Sequence, residues 1–552
     1  MDYKSEYNRW LNEVKDQELL SELIDMTDKV IEDSFYKDLH FGTGGLRGTI
    51  GAGTNRMNVY TVAKASQGLA NYLKKRFDSP SVVVGYDSRI KSDVFSDITA
   101  KVLASNGVTV YKWSYILPVP TVSFAVRYLH TSAGIMITAS HNPAEYNGYK
   151  VYGDDGCQIT NEAADLILKE INNVDIFEGV NIYEDVKINN IDNKVLDAYI
   201  ENVKNQSVLY NDTVDKSVSI VYSPLNGTGL VPIIRVLDEM GYTNVTVVEE
   251  QKYPDGNFST CPYPNPEIKE ALNLGLEYCK KYNADLMLAT DPDCDRVGIA
   301  VKDEKEKYIL LSGNEVGILL LDYICSQRIK HNDMPSNPVM IKTIVSMDLA
   351  EQIATFYGVD SINVLTGFKY IGEQIGILEE KNQQDNYIFG FEESYGYLTG
   401  TYVRDKDGVN GACLVVEMFS YYKSRGISLI DKLNDLYSKF GYAYNTLHSF
   451  TFKGASGFKK MKFLMSQFRK NSLNEIAGVS VVKITDYSLG ENGLPKADVL
   501  KYYLEDNASV VIRPSGTEPK LKIYISTCLE NREKSIKENI SFEKVLKKLI
   551  EI

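Results

Sequence analysis

The chain has 552 residues, of which 44% are hydrophobic, and a formal net charge of -14 at pH 7. This apolar content can fill several cores, about three to five domains, whereas the acidic charge disfavours nucleic-acid binding, because phosphate backbones need a basic surface. No apolar run is long enough to span a bilayer, the charged residues 1–6 contain no signal-peptide core, and the seven scattered cysteines argue against a disulfide framework or a zinc site. We therefore expect a cytoplasmic protein with reduced thiols and no membrane partner.

The first forty residues predict helix. The apolar positions spaced for one helical face are Trp10, Leu11, Val14, Leu19, Leu20, Leu23 and Ile24. We expect this segment to be an extension that packs against the domain following it.

Beyond the extension, short apolar strands repeatedly precede helical stretches. Strands are predicted at 81–86, 217–222 and 338–343, and a strand-then-helix alternation is typical of α/β units. Their spacing predicts three similar units that begin near residues 41, 206 and 319. The polar stretches 204–207 and 438–441 are candidate linkers.

A polar loop at 138–143, Thr-Ala-Ser-His-Asn-Pro, follows a predicted buried strand at 133–137. Ligands collect at strand ends in α/β folds, and the Ser140 hydroxyl beside the His141 imidazole can be activated or can carry a phosphoryl group. Thr, Ser and Asn before Pro also make ordinary turns and helix caps. Taken alone, the loop leaves both a nucleophile and a turn open.

A second polar loop at 291–296, Asp-Pro-Asp-Cys-Asp-Arg, also follows an apolar run. Its alternating carboxylates are Asp291, Asp293 and Asp295. Side chains at alternating positions project to one side of an extended chain, and three carboxylates suit Mg²⁺ in a phosphoryl-transfer site. An EF-hand is excluded, because Arg296 stands where its loop needs Gly and Lys302 where it needs Glu. A solvated acidic turn is the alternative.

A third loop at 513–520, Arg-Pro-Ser-Gly-Thr-Glu-Pro-Lys, lies behind a further apolar strand. The Arg513 guanidinium can grip two phosphate oxygens, and Gly516 allows backbone N–H groups to approach closely. The loop therefore predicts a phosphate cradle, with a Pro/Gly surface turn as the alternative.

Four loops in this order resemble those of the α-D-phosphohexomutase family, the phosphoglucomutases and phosphomannomutases. The matching segments are the serine loop 138–143, the metal loop 291–296, the sugar-recognition loop 390–396 and the phosphate loop 513–520. Residues 41–48 and 404–408 also fit the family's pattern, and the resemblance extends from about Phe41 to Tyr524. The Phe-Glu-Glu-Ser-Tyr-Gly-Tyr form of the sugar loop is closest to the phosphoglucomutase and phosphopentomutase branch.

The resemblance implies an α/β fold with three similar α/β domains with mixed sheets, and a smaller α+β C-terminal domain, around a central cleft. The expected divisions are 1–205 for the helical extension and domain I, 206–318 for domain II, 319–441 for domain III and 442–552 for domain IV. These domains would carry the phosphoserine, metal, sugar and phosphate loops, respectively.

The resemblance also implies a mechanism, in which phosphorylated Ser140 exchanges its phosphoryl group with a sugar phosphate through glucose 1,6-bisphosphate. The metal ligands for Mg²⁺ would be Ser140, Asp291, Asp293 and Asp295. The catalytic residues would be Ser140 and the acid/base candidates His141 and Lys406. The substrate-binding residues would be Arg47, Arg296, Thr366, Gly367, Glu392, Ser394, Arg404, Arg513, Ser515, Gly516 and Thr517.

The expected reaction interconverts α-D-glucose 1-phosphate and glucose 6-phosphate. Mannose and pentose phosphates are alternative substrates, because few side chains read a single sugar hydroxyl. An aspartyl-phosphate phosphohydrolase would use Asp291 as its nucleophile and would leave Ser140 and the phosphate loop without a role. A catalytically silent sugar-phosphate sensor is disfavoured by the intact serine and carboxylates. The sequence does not indicate an oligomeric state.

Overall fold

The computed structural model describes residues 2–42, 44–452, 454–470, 473–490, 493–514 and 520–551. These residues form four sheets, of six, five, four and six strands in chain order. None of the helices in these ranges combines the length and the apolar character needed to cross a membrane.

The N-terminal extension consists of three helices, α1 (Tyr3–Glu13), α2 (Gln17–Ile24) and α3 (Asp28–Phe35). Asp2 and Asp16 each cap a helix by accepting from its first-turn backbone N–H groups. Trp10 is fully buried and packs edge-on against Phe35, with ring centroids 5.6 Å apart. The expectation of one continuous apolar face is wrong at Ile24, which ends α2 and is 66% exposed.

The first sheet is mixed and has the order β1-β5-β4-β2-β3-β6. Its strands are β1 (Leu46–Thr49), β2 (Ser81–Tyr86), β3 (Thr109–Lys112), β4 (Ala133–Ile137), β5 (Tyr146–Tyr152) and β6 (Ile188–Asn190). Its helices are α4 (Val59–Arg76), α5 (Ser92–Ser105), α6 (Val119–Leu129), α7 (Asn161–Asn172) and α8 (Asn193–Lys204). β5 runs antiparallel to the fully buried β4, so the serine loop is the connection between these two strands.

The second sheet is also mixed and has the order β11-β10-β9-β7-β8. Its strands are β7 (Ile220–Ser223), β8 (Val245–Val247), β9 (Leu286–Thr290), β10 (Val297–Lys302) and β11 (Tyr308–Leu311). Its helices are α9 (Leu230–Glu239), α10 (Glu249–Lys252) and α11 (Lys269–Tyr282). The metal loop joins the antiparallel pair β9 and β10.

The third sheet has the order β13-β12-β14-β15. Its strands are β12 (Val339–Thr343), β13 (Asp360–Val364), β14 (Tyr387–Glu392) and β15 (Gly396–Leu398). The helices of this part are α12 (Gly313–Lys330), α13 (Leu349–Phe356), α14 (Phe368–Glu380), α15 (Gly408–Lys423) and α16 (Leu429–Phe440). The sugar loop connects β14 to the antiparallel β15.

One expected domain division requires correction. A boundary between 318 and 319 would cut α12, a single helix whose Gly317 packs closely against Phe391 of β14. The division between the second and third units therefore lies before Gly313. The other expected divisions, after residues 205 and 441, fall between helices and strands and stay predictions.

The fourth sheet is antiparallel and has the order β16-β21-β20-β19-β18-β17. Its strands are β16 (Tyr442–Thr451), β17 (Glu475–Ile476), β18 (Val479–Asp486), β19 (Leu500–Leu504), β20 (Ser509–Pro514) and β21 (Lys520–Leu529). Two helices accompany it, α17 (Gly454–Lys470) and α18 (Arg532–Glu551). This unit has a core of its own, which includes Ile512, Ile523 and Phe542. The expected α/β class, with three mixed sheets and a different C-terminal unit, is confirmed.

Candidate active site

Ser140 lies three residues beyond the end of β4 and is only 3% exposed. Its backbone N–H donates to Thr138 Oγ1 at 2.8 Å. Its own hydroxyl donates to Asp291 Oδ2 at 2.9 Å and lies 3.3 Å from His141 Nδ1. The serine loop and the metal loop, 151 residues apart in sequence, therefore meet at one hydroxyl group.

Asp291, Asp293 and Asp295 converge as the sequence predicts. All three are fully buried, and one carboxylate oxygen from each lies within 4.8 Å of the others. The Oδ1 atoms of Asp293 and Asp295 have no hydrogen-bond partner within the described part of the chain. Burial and the two neighbouring carboxylates raise the pKa of Asp291 well above its usual value. Oxygen donors left unpaired in this way fit a hard divalent cation such as Mg²⁺.

Two buried lysines lie against the same carboxylates. Lys406 Nζ is 2.9 Å from Asp295 Oδ2, and Lys150 Nζ, from β5, is 2.9 Å from Asp293 Oδ2 and 3.3 Å from Asp295 Oδ2. Burial favours the neutral amine, but Asp295 outweighs it at Lys406 and raises that pKa above its usual value. The same balance raises the pKa of Lys150, chiefly through Asp293. Both lysines are therefore charged in this state of the site.

The loop that carries Lys406 is fixed from both sides. Asp405 accepts from the Tyr152 hydroxyl at 2.9 Å. Asp407 caps α15 by accepting from the backbone N–H groups of Val409 and Asn410 at 2.9 and 3.0 Å. Lys406 thus projects from a rigid turn towards the carboxylates.

Arg296 and His141 both lie close to the Ser140 hydroxyl. Arg296 Nη1 lies 3.4 Å from Ser140 Oγ and 3.7 Å from Asp291 Oδ2, and it also contacts His141 Nδ1. Burial, followed by Arg296 and Arg47, holds the pKa of His141 well below its usual range, so the imidazole is neutral. Arg47 is exposed, and its Nη1 lies 3.4 Å from Asn142 Oδ1 of the serine loop.

The sugar loop contributes a further group of candidate substrate-binding residues. Glu392, at the end of β14, is 4% exposed and accepts from the Gly367 backbone N–H at 2.9 Å. Gly367 has a φ of 121°, which favours glycine, and the buried Thr366 Oγ1 has no hydrogen-bond partner among the described residues. Ser394 is half-buried in the turn that follows Glu392. The structure therefore brings together the four residues expected to read the sugar.

Arg513, at the end of β20 in the C-terminal unit, acts electrostatically on the sugar loop. Burial and Glu392 raise the pKa of Glu393 to about 7, and the positive charge of Arg513 opposes part of that rise. Arg513 therefore lies near the sugar loop, as a ligand-binding role requires. The expected phosphate contacts Ser515, Gly516 and Thr517 lie outside the described residues.

Sequence models of phosphoglucomutase/phosphomannomutase domains match four consecutive segments of the chain. The alpha/beta/alpha domains I, II and III match residues 38–176, 197–305 and 312–440, and the C-terminal domain matches residues 466–541. The chain belongs to the phosphoglucomutase/phosphomannomutase family.

Curated relatives and solved structures agree with this family. The phosphoglucomutase of Staphylococcus haemolyticus is 37% identical, over 95% of this chain and 97% of the relative. That of Staphylococcus aureus (strain USA300) is 37% identical over 94% of each chain. A putative phosphomannomutase from Thermus thermophilus shares the fold, with a TM-score of 0.71, 21% identity and coverage of 94% of this chain and 100% of the other. Paramecium parafusin, described as a phosphoglucomutase in an open form, has a TM-score of 0.67, 15% identity and coverage of 93% and 96%.

In this family member, Arg404 is not a substrate contact. Its side chain is fully buried, with Nη2 2.5 Å from Glu379 Oε2 and Nη1 donating to the Thr401 carbonyl. Its backbone N–H donates to Ser123 Oγ of α6 at 2.9 Å. Nη1 and Nη2 join α14 to the loop before α15, and the buried Nε has no hydrogen-bond partner among the described residues. Because the side chain is fully buried in these contacts, the expectation for Arg404 is corrected to a structural role.

The sequence alone does not predict a role for Lys150. The one local signal is its position, because it is a lysine within the largely buried strand Tyr146–Tyr152. A charged side chain in a buried strand needs a partner. Its partners, Asp293 and Asp295, are more than 140 residues away in the chain.

Proposed function

We propose that this protein reversibly converts α-D-glucose 1-phosphate into glucose 6-phosphate, with Ser140 as the phosphoryl carrier and glucose 1,6-bisphosphate as the intermediate. The observation that carries the proposal is the Ser140 hydroxyl, which lies 2.9 Å from Asp291 inside a cluster of carboxylates and cations. The phosphoglucomutase relatives, which match nearly the whole chain, support glucose as the sugar.

In the proposed step, the bond between phosphorus and Ser140 Oγ breaks while a bond forms from phosphorus to the free sugar hydroxyl. The hydroxyl proton needs a base, and the serine oxygen gains negative charge as it leaves. The second half-reaction reverses these changes at the other end of the bisphosphate. The sugar phosphate is regenerated with its phosphate moved, and Ser140 is phosphorylated again.

The residues around the serine divide these tasks. Neutral His141, with Nδ1 3.3 Å from Ser140 Oγ, is the base candidate. Charged Lys406 is the acid candidate, and Lys150 shares its carboxylates. Arg296 is placed to stabilise the phosphoryl oxygens, because its Nη1 already lies 3.4 Å from Ser140 Oγ.

A divalent cation fits the carboxylate cluster. Mg²⁺ held by Ser140 Oγ and the three aspartates would neutralise charge on the phosphoryl oxygens. The binding residues for it are Ser140, Asp291, Asp293 and Asp295. The two unpaired Oδ1 atoms support this assignment.

The remaining residues hold the substrate. Glu392 and Ser394 would bind sugar hydroxyls, beside Thr366 and Gly367. Arg513 would bind the distal phosphate together with residues 515–517, whereas Arg47, beside Asn142 of the serine loop, would contact the substrate at its reacting end. Arg404 has no part in this set.

The aspartyl-phosphate alternative fits the geometry less well. Asp291 has no exposed surface, and its Oδ2 accepts a hydrogen bond from Ser140. A nucleophile must reach the phosphoryl group, and Ser140, at 3% exposed, retains some accessible surface whereas Asp291 has none. In a silent sensor, the pairing of Lys150 and Lys406 with the carboxylates would serve no catalytic purpose, nor would the position of Arg296 beside the serine.

A coupled assay tests the proposal. Glucose 1-phosphate is supplied with Mg²⁺ and a trace of glucose 1,6-bisphosphate, and glucose 6-phosphate is oxidised by a dehydrogenase that reports each turnover. Mannose 1-phosphate and ribose 1-phosphate give other products, so their turnover is followed by phosphorus NMR. We expect kcat/KM for glucose 1-phosphate to exceed the values for both of these substrates. A higher value for either of those would move the proposal to a phosphomannomutase or phosphopentomutase, and binding without turnover would indicate a sensor.

A further inference from the structure

Ser140 occupies an unfavourable backbone conformation. Its φ is 52°, in the left-handed region where side chains other than those of Gly, Asn and Asp are uncommon. Such a conformation costs about 1–2 kcal/mol and persists only where the surroundings enforce it. Two hydrogen bonds within the loop, from Ser140 N–H to Thr138 Oγ1 at 2.8 Å and from Asn142 N–H to the Ala139 carbonyl at 3.1 Å, hold it locally. A supporting contact from outside the loop adds to them.

Arg89 supplies that support from beneath the loop. Its Nη2 donates to the carbonyl oxygens of Ser140 and of Asn142, the latter at 2.5 Å. Its Nη1 donates to the carbonyl oxygens of Pro143 at 2.9 Å and Tyr146 at 3.1 Å. One guanidinium thus binds four carbonyl groups between Ser140 and the first residue of β5.

Arg89 is itself held rigidly. Its side chain is fully buried, and Nε lies 3.5 Å from Asp87 Oδ2. Asp87 also accepts from Ser92 Oγ at 2.7 Å and from the Arg89 backbone N–H at 3.0 Å. The ring of Phe258, from the second unit, lies 5.0 Å from the guanidinium carbon, a distance at which a cation–π interaction is favourable.

We propose that Arg89 is a positioning residue for the phosphoryl carrier. By binding the four carbonyls it holds Ser140 in the left-handed conformation, which directs Oγ towards Asp291 and Arg296. Within the described part of the chain, its guanidinium hydrogen bonds go to backbone carbonyls behind the serine, so it acts through Ser140 and not on the phosphoryl group. The inference rests on the proposed function of Ser140.

The need for a guanidinium follows from its shape. Arginine presents five N–H donors in one rigid plane, whereas a lysine ammonium is a single point with three donors on a flexible stem. Lysine at position 89 would keep the charge opposite Asp87 but would not span four carbonyls. A displacement of about 1 Å at a reacting atom lowers the rate about 100-fold.

The test compares Arg89→Lys and Arg89→Ala with the wild-type protein in the coupled assay. We expect kcat to fall about 100-fold, while KM for glucose 1-phosphate changes less than about threefold, because Arg89 touches no substrate. Guanidinium at a non-denaturing concentration should restore part of kcat to Arg89→Ala, and equimolar urea should not. If the alanine variant does not fold, the kinetic split in Arg89→Lys decides the matter.

Arg469→Ala is the matched control. Arg469 pairs with Asp486 and Asp498 in the C-terminal unit, away from the serine loop, so its loss should leave kcat unchanged and unresponsive to guanidinium. Arg89 variants with wild-type kcat per folded molecule, or a lost kcat that guanidinium leaves unchanged in folded Arg89→Ala, would overturn the inference. An inactive wild-type protein would overturn the proposed function first, and this inference with it.

Discussion

Replacing Lys150 with methionine tests the charge balance of the site. Methionine preserves much of the buried volume but leaves Asp293, and in part Asp295, without a cation. Both carboxylates are fully buried and Lys150 is 6% exposed, so solvent screens the pairing little. Breaking a buried ion pair by removing one partner costs about 3–5 kcal/mol. Lys406 still faces Asp295 at 2.9 Å, which places the expected loss at the lower end, about 3 kcal/mol.

The assay is urea unfolding of metal-free protein, followed by fluorescence of Trp10 and Trp113, the chain's two tryptophans. Both are buried in the N-terminal part of the molecule. Added Mg²⁺ should restore more stability to Lys150→Met than it adds to the wild type, because a cation bound there replaces the lost charge.

Lys423→Met is the control for this experiment. Lys423 forms an ion pair with Asp285, and its own side chain is 40% exposed. Exposed ion pairs contribute about 0–1 kcal/mol to the free energy of unfolding. Equal losses for Lys150→Met and Lys423→Met in metal-free protein, or identical responses to Mg²⁺ in Lys150→Met and the wild type, would refute the charge balance described above.

Three further predictions concern Asp293, Arg513 and Glu393. Asp293→Asn should weaken Mg²⁺ binding and slow turnover, because it removes one of three converging carboxylates; a titration of activity against free Mg²⁺ measures this, and full wild-type activity in excess chelator would contradict it. Arg513→Ala should raise KM, lower kcat and increase the dependence on added glucose 1,6-bisphosphate, since the enzyme loses its grip on the distal phosphate of the intermediate; steady-state kinetics with and without the bisphosphate measure this, and values identical to those of the wild type would mean that the loop is an ordinary turn. Glu393→Gln should remove a pH dependence of stability. Burial and Glu392 raise the pKa of Glu393 from 4.5 to about 7, so its contribution is present below about pH 4.5 and is lost as the pH rises through about 7. Urea midpoints at about pH 5 and about pH 8 should therefore differ more in the wild type than in the variant, and parallel pH profiles would argue against the shift.

The parts of the site that sequence predicts are those whose chemistry is local. Asp291, Asp293 and Asp295 share one loop, so their alternation alone brings three oxygens to one side. Ser140 follows a strand of five fully buried residues, and the end of such a strand lies at the edge where ligands bind. The strand-then-helix pattern gave the α/β class for the same reason, since periodicity is written along the chain.

The parts that sequence does not predict depend on contacts between distant segments. Lys150 meets Asp293 only because β5 pairs with β4 and the second unit packs against the first. Arg89 reaches the serine loop from the end of β2, about fifty residues earlier. Arg404 looked like a cation for the substrate, and only the packing of α14 shows that Glu379 neutralises it. A lone charged residue in a sequence does not reveal which group it faces.

The most direct test of the central claim is to locate the phosphoryl group on the active protein. The purified protein is incubated with glucose 1,6-bisphosphate and Mg²⁺, and its peptides are then mapped by mass spectrometry. The account predicts one phosphorylated residue, Ser140, which loses its phosphoryl group when glucose 6-phosphate is added and carries none in Ser140→Ala. Phosphate on Asp291 or elsewhere, or an alanine variant that turns over glucose 1-phosphate at the wild-type rate, would contradict it.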